Sequence, residues 1–116
     1  MIANNDLFFA FLSKFGFIEV DASCLEIIDQ IKLFSTCTHL IGVHGAGMTN
    51  MIFNKASNFK IIELFHLNSI PPHYFFLAKQ FGFEYYPFVN GNEINGNFLI
   101  DIESFSKFML DVEFLI

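Results

Sequence analysis

Arginine and tryptophan are absent from this chain of 116 residues, so six lysines supply all of its permanent positive charge. Twelve acidic residues give a formal net charge of −6 at pH 7, and the lysines are scattered. The lack of a basic cluster excludes a nucleic-acid-binding face and a polybasic membrane anchor. It leaves open the binding of a single phosphate group, because backbone amides alone can hold such an anion.

Cysteine is nearly as scarce, with Cys24 and Cys37 as the two representatives. They do not form a CxxC pair, so neither a disulfide framework nor a structural zinc site is expected. We interpret both as small buried apolar residues, and a single bridge between them stays open.

The N-terminus lacks the cationic region and the small-residue cleavage site of a signal peptide. Its longest apolar run, Leu7–Leu12, is too short to span a bilayer. The expectation is a cytoplasmic domain without a membrane span. A piece of a secretory-pathway parent would show the same pattern.

Apolar residues make up 53% of the chain, including 18 phenylalanines, which is enough for a sizeable core. The length suits one domain over residues 1–116. Hydrophobic periodicity and cap signals predict helices at 5–15, 23–34, 72–81 and 101–110, and strands at 17–20, 40–43, 60–64 and 84–87. This alternation predicts an α/β fold, in which a Rossmann-like parallel sheet is covered by helices on both faces.

The central stretch is Thr38–Phe53, with the sequence THLIGVHGAGMTNMIF. It is typical of a buried strand, a tight glycine turn and the start of a helix at Met48. Ligands of such sheets bind at the carboxyl ends of the strands, and a helix N-terminus favours phosphate. The turn is therefore the predicted ligand site.

Several known glycine motifs do not fit this turn. A Walker loop needs a Gly-Lys pair, which is absent, and the dinucleotide fingerprint GxGxxG matches at Gly45 and Gly47 but meets Asn50 at its third position. The HGAG segment is similar to the HGGG loop of esterases, yet the chain has no GxSxG turn. No HExxH motif and no close His/Cys cluster occur, so we predict no bound metal and no cofactor.

The stretch from Glu26 to Leu64 resembles the signature region of the family 61 glycosyltransferases. That family's pattern is a Gln in a helix, a hydrophobic strand, HGAG[LM]TN, an aromatic residue, and a strand ending in Glu. The matching positions here are Gln30, 40–43, 44–50, Phe53 and Glu63. With its flanks, the resemblance covers most of the chain.

The resemblance implies transfer of a hexose or pentose, with inversion, from a nucleotide sugar to an acceptor glycan or protein. UDP-sugar is the expected donor. It also implies a two-domain enzyme of the GT-B type, in which this chain corresponds to the second, donor-binding domain. The first domain, with much of the acceptor site, would then lie outside this chain or on another chain. The general base that inversion requires is not identified here.

The implied donor site has alternative structural explanations at each position. Gly45, Ala46 and Gly47 either bring backbone N–H groups to the pyrophosphate or only make a tight turn. Thr49 and Asn50 either donate hydrogen bonds to phosphate or cap the helix.

Three further residues belong to the predicted site. His44 is the candidate catalytic residue, either stabilising the departing nucleotide or holding the loop through a backbone carbonyl. Glu63, at the end of its predicted strand, either accepts hydrogen bonds from ribose hydroxyls or is an exposed or capping carboxylate. Gln30 either reaches the turn and holds it from behind or is a solvated helix residue.

Two functional hypotheses from different classes follow. The first is the donor-binding domain of a glycosyltransferase. The second is a non-catalytic nucleotide- or phosphate-binding remnant of such an enzyme. An unrelated phosphate-binding domain that uses the same turn is a third.

Overall fold

The computed structural model describes residues 2–43, 46–56, 58–66, 71–90 and 93–115. Helices and strands alternate along most of the chain. In chain order, with η for 3₁₀ helices, the elements are α1 Asn5–Ser13, η1 Ala22–Cys24, α2 Ile27–Thr36, β1 His39–Val43, η2 Ala46–Phe53, β2 Lys60–His66, α3 His73–Phe81, β3 Glu84–Asn90, β4 Glu93–Ile94, β5 Asn97–Phe98 and α4 Ile102–Asp111.

The main sheet has three strands in the order β1-β2-β3, and both neighbouring pairs are parallel. In the central strand β2, Glu63 is in register with Gly42 of β1 and Pro87 of β3. Helices flank this sheet, so the predicted parallel α/β architecture is confirmed and is compatible with a Rossmann-like fold. The resemblance to a GT-B enzyme stays a prediction.

One face of the sheet is covered by α1 and α4. Because side chains alternate along a strand, Ile62 and Leu64 of β2 point to this face together. They form an apolar cluster with Phe8 of α1 and Phe105 of α4, whose rings meet edge to face at 5.0 Å. This cluster also holds Phe114, which follows α4.

The opposite face is covered by η2 and α3. Ile61 of β2 lies there in a second cluster with Met48 and Met51 of η2 and Ala78 of α3. Tyr85 of β3 belongs to the same cluster. Since Glu63 is two positions from Ile61, it points to this face as well.

The predicted strand at 17–20 is wrong. These residues join no ladder, and Ile18 is 75% exposed. Phe17 is held instead by a stacked contact with Phe114, with ring centroids 6.2 Å apart. The segment therefore packs through one aromatic ring rather than through backbone pairing along β1.

The sequence pattern before α2 predicts a helix cap from Asp21 or from Ser23, the latter with Glu26 as a capping box, and the structure differs from this pattern. Asp21 caps the short helix η1 instead, accepting hydrogen bonds from the Ser23 backbone amide at 3.0 Å and the Ser23 hydroxyl at 2.6 Å. Leu25 is extended, which separates η1 from α2, and Glu26 then precedes α2 without a side-chain cap. The helical spacing of Ile27, Ile28, Ile31 and Phe34 predicts an apolar face for α2, and this prediction is only partly right, since Ile27 and Ile28 are exposed whereas Phe34 is buried.

Two other helix ends agree with the sequence. Gly82 adopts the left-handed conformation with φ +74° directly after α3. Asp101 accepts a hydrogen bond from the Ser104 amide at the start of α4.

The prediction that both cysteines are buried is wrong. Cys24 is exposed, Cys37 is half-buried, and both are free thiols. Among the helices of the described ranges, none has the length and apolar character that crossing a bilayer requires.

Candidate functional site

The candidate site lies where β1 leads into η2. Strand β1 ends at Val43 and η2 begins at Ala46. His44 and Gly45, two of the predicted site residues, lie outside the described residues. The predicted helix at Met48 is a 3₁₀ helix that starts two residues earlier, so the backbones of Ala46 and Gly47 form its first turn.

Helix η2 lies close against the sheet. Met48 and Met51 are buried beneath it, and a Cβ atom added to Gly42 would meet the Met48 sulfur at 3.6 Å. That distance is ordinary van der Waals contact, so the space above Gly42 would hold one methyl group. The Met48 side chain of η2 therefore packs over Gly42 of β1.

Gln30 of α2 connects three separate segments. Its Nε2 donates to the Ala22 carbonyl at 2.8 Å and to the Leu25 carbonyl at 3.1 Å. Its Oε1 accepts a hydrogen bond from Asn50 Nδ2 at 2.9 Å. The amide thus joins η1 and the start of α2 to the middle of η2. Gln30 is a bonded, half-buried residue rather than a solvated one, and its part in ligand binding stays a prediction.

Thr49 and Asn50 differ in their surroundings although they are adjacent. Thr49 is exposed, whereas Asn50 is half-buried and its amide nitrogen is bonded to Gln30. Both lie inside η2 rather than at its N-terminus, so the capping alternative does not apply to either. Thr49 is the one whose side chain is open to solvent and therefore to a ligand.

Glu63 is 0% exposed and is the one buried charged residue among the described positions. Strand β2 continues to His66, so Glu63 lies within the strand rather than at its end, and the alternative of an exposed carboxylate is wrong. The Tyr85 hydroxyl donates a hydrogen bond to Glu63 Oε1. Burial, and then the bond to Glu63 and its charge, raise the pKa of Tyr85 far above the ordinary tyrosine range. Tyr85 therefore remains a protonated donor, and a contact between Glu63 and ribose stays a prediction.

Comparison with protein families gives one decisive finding. The model of the family described as glycosyltransferase 61 matches residues 1–62, more than half of the chain. The chain belongs to glycosyltransferase family 61. The predicted family is thus confirmed, and the match runs from α1 through η2 into β2, so it contains Gln30 and the turn at 44–50. Comparisons with curated proteins and with solved structures gave no significant match.

Family 61 membership supports a glycosyltransferase and, with it, a nucleotide sugar and an acceptor as substrate classes. The identity of the donor and acceptor, the inversion and the sugar type stay predictions.

Asn54 is a structural residue of this family 61 chain that sequence reasoning missed. Its Nδ2 donates to the Phe34 carbonyl at 2.8 Å and to the Cys37 carbonyl at 2.7 Å, and its Oδ1 accepts from the Ala56 amide at 2.8 Å. One side chain therefore ties the end of η2 to the end of α2. The available signal was an Asn directly after a helix, a residue type that bonds to nearby backbone groups.

No group of three or more His, Cys, Asp or Glu side chains lies together as a metal site within the described ranges. Independence from metal ions remains a prediction for this family 61 chain.

Proposed function

We propose that this family 61 chain binds the diphosphate of a nucleotide sugar, a UDP-sugar, at the turn from His44 to Asn50. The observation that carries the proposal is the family match over residues 1–62, which contains the whole turn. The described geometry supports it, because only two residues separate the end of β1 from the start of η2. Parallel α/β sheets bind ligands at this edge, and the free N–H groups of a helix start favour phosphate.

The roles within the site follow from the chemistry of each residue. Backbone N–H groups of Gly45, Ala46 and Gly47 hold the pyrophosphate oxygens, and the exposed Thr49 hydroxyl adds a hydrogen bond. His44 stabilises the charge that develops on the departing nucleotide. Asn50 is the link by which Gln30 holds η2 in place.

In the proposed reaction, an acceptor hydroxyl oxygen forms a bond to the anomeric carbon of the donor sugar. The bond from that carbon to the diphosphate oxygen breaks on the opposite face, so the configuration inverts. The hydroxyl proton passes to a general base, and the diphosphate leaves as an anion held at the turn. The acceptor is a glycan or protein, and the transferred sugar is a hexose or pentose.

We further propose that residues 1–116 are the donor-binding half of a GT-B enzyme, and that another domain or chain supplies the acceptor site. Because the helix start handles the diphosphate charge, the reaction should not need a divalent ion. Activity that disappears with a chelator and returns with a divalent ion would refute this point.

A second candidate function is nucleotide binding without transfer by this chain alone. One observation favours it: Glu63, an acid on the η2 face of the sheet, is fully buried and bonded to Tyr85. It is therefore not positioned to take a proton from an acceptor. Release of UDP from a UDP-sugar only in the presence of an acceptor would reject this candidate.

The test of the proposed function is binding of UDP and a UDP-sugar to the whole chain, followed by ligand-observed NMR. His44→Ala and Gly47→Val should lose binding, since the first removes the side chain at the turn and the second places a branched side chain among the phosphate-binding amides. His73→Ala is the matched control, because His73 is exposed on α3. A folded wild-type chain that binds neither ligand, or turn variants that bind as well as wild type, would reject the proposal.

A further inference from the structure

The hairpin of β4 and β5 turns on an asparagine followed by a glycine. Asn95 and Gly96 are both exposed, and their φ angles are positive, at 52° and 80°. Ile94 and Asn97 pair directly on either side, so Asn95 and Gly96 form a two-residue turn. Positive φ at both turn positions is the type I′ pattern, for which Asn-Gly is a preferred sequence. The turn geometry therefore explains the pair, and the pair also brings two groups together that can react.

The two reacting groups are the side-chain amide of Asn95 and the backbone nitrogen of Gly96. A glycine nitrogen is the least hindered of backbone nitrogens, because no Cβ shields it. The surroundings do not shield it either, since a Cβ added to Gly96 would meet no atom within 4 Å. The Asn95 side chain forms no hydrogen bond within the described part of the chain, whereas Asn50 and Asn54 are both bonded. Its amide is therefore open to attack.

The hairpin holds this turn weakly. Strands β4 and β5 have two residues each and form a sheet of their own, apart from the three-stranded sheet. Isolated two-stranded hairpins are marginally stable in water, and such segments open locally at little free-energy cost. Asn95 can thus leave the turn conformation and bring its side chain to the Gly96 nitrogen while the rest of the chain stays folded.

We propose that Asn95 is a modification site, at which the side-chain amide is converted to a carboxylate without an enzyme. The Gly96 nitrogen gives up its proton and forms a bond to Asn95 Cγ. The bond from Cγ to Nδ2 breaks, and Nδ2 takes up a proton and leaves as ammonia. Water then opens the resulting succinimide: attack at Cγ gives aspartate, and attack at the backbone carbonyl gives isoaspartate. Each product adds one negative charge to the turn.

The two products should affect the hairpin differently. Aspartate tolerates the left-handed conformation that Asn95 adopts, so it should leave the turn intact. Isoaspartate adds a methylene group to the backbone, which a two-residue turn cannot take up without losing the pairing of Ile94 with Asn97. Phe98, at the end of β5, is 4% exposed, and its carbonyl accepts a hydrogen bond from the Ala3 amide at 2.6 Å. The disturbance should therefore stop at the hairpin.

The test is incubation of the whole folded chain at mildly alkaline pH, followed by digestion and mass spectrometry against a sample taken at time zero. Asn95 should gain the mass that replacement of NH2 by OH produces, and an isoaspartyl methyltransferase should methylate part of the product. Fragmentation separates Asn95 from Asn90, which also precedes a glycine. Because the hairpin opens readily, the folded chain should react within about tenfold of the rate in urea.

The same hairpin supplies the matched control. Asn97 is exposed like Asn95 but precedes Phe98, whose side chain hinders the nitrogen, so Asn97 should keep its starting mass. Asn95→Gln keeps an amide at the turn but would need a larger and slower ring closure, so it should stop the reaction. Asn95→Asp should melt at the wild-type temperature, since it reproduces the milder product.

Three results would overturn the inference. A folded chain whose Asn95 keeps its starting mass would show that the turn protects the amide. Equal conversion of Asn97 would show that the following glycine is not the cause, and conversion of Asn95→Gln at the wild-type rate would exclude the succinimide. None of these measurements involves a nucleotide sugar, so they leave the proposed function untouched.

Discussion

The link between Gln30 and Asn50 predicts a measurable coupling between α2 and η2. Gln30→Ala removes three hydrogen bonds, at 2.8, 3.1 and 2.9 Å, and leaves two backbone carbonyls and the Asn50 amide without this partner. At about 0.5–1.5 kcal/mol net for each bond, the free energy of unfolding should fall by about 2–4 kcal/mol. Asn50→Ala removes one bond and should cost about 1 kcal/mol. These are large fractions of the roughly 5–15 kcal/mol that stabilises a typical domain.

The assay is urea unfolding of wild type, both single variants and the double variant at one pH. Because the two side chains share one bond, the double variant should lose less than the sum of the single losses, by about 1 kcal/mol. Lys32→Ala is the control on α2, where the side chain is exposed, and it should change stability by less than about 0.5 kcal/mol. The same cycle followed by UDP binding would show whether the link also supports the ligand site.

Additive losses within about 0.3 kcal/mol would refute the reasoning, because they would mean that the Gln30 and Asn50 side chains do not interact in solution. A loss from Gln30→Ala no larger than that of the Lys32 control would mean that water replaces all three bonds.

Three further outcomes are expected. Because the pKa of Tyr85 is raised in the folded chain, the unfolded chain releases the hydroxyl proton above about pH 10 while the folded chain keeps it, so the free energy of unfolding falls as the pH rises above that value. By pH 11, wild type should lose about 1.4 kcal/mol relative to Tyr85→Phe, measured by urea unfolding. Parallel plots of unfolding free energy against pH for the two proteins would contradict this expectation. Asn54→Ala removes one Asn54 hydrogen bond from each of two backbone carbonyls and one backbone amide, so it should lower the free energy of unfolding by about 2–4 kcal/mol. A loss below about 0.5 kcal/mol would disprove this value. Gly42→Ala should lower the free energy of unfolding by less than about 1 kcal/mol, whereas Gly42→Leu should lower it by about 1–3 kcal/mol because the larger side chain collides with Met48. Equal melting temperatures for the two variants would show that η2 moves aside freely.

The fold was largely predictable because its signals are local. Gly82 ends α3 and Asp101 begins α4 as expected, since a left-handed glycine and a capping carboxylate act on their own helix ends. The segment at 17–20 has the same apolar character as a strand, yet it is not one. A strand needs a backbone partner, and the choice between pairing along β1 and the stacking of Phe17 on Phe114 is a tertiary one.

The residues of the candidate site were likewise only partly predictable from the sequence. The motif from His44 to Asn50 could be recognised from the sequence because its residues are contiguous, and the family match contains it. Glu63 was recognised as part of the family pattern, but its complete burial and its bond to Tyr85 were not foreseen, since the two residues are 22 positions apart. Asn54 was missed because its acceptors, at the end of α2, lie 17 and 20 positions away.

The sequence by itself therefore determined the family, the parallel α/β class and the strand and helix that flank the predicted ligand turn, because glycines, caps and hydrophobic periodicity act over a few residues. Only the tertiary structure decided which polar side chains meet: Gln30 with Asn50, Asn54 with the end of α2, and Glu63 with Tyr85. The physical reason is that a buried polar group must find its partner among whatever the packed elements bring near, and that partner is set by how strands and helices stack rather than by neighbours in the chain.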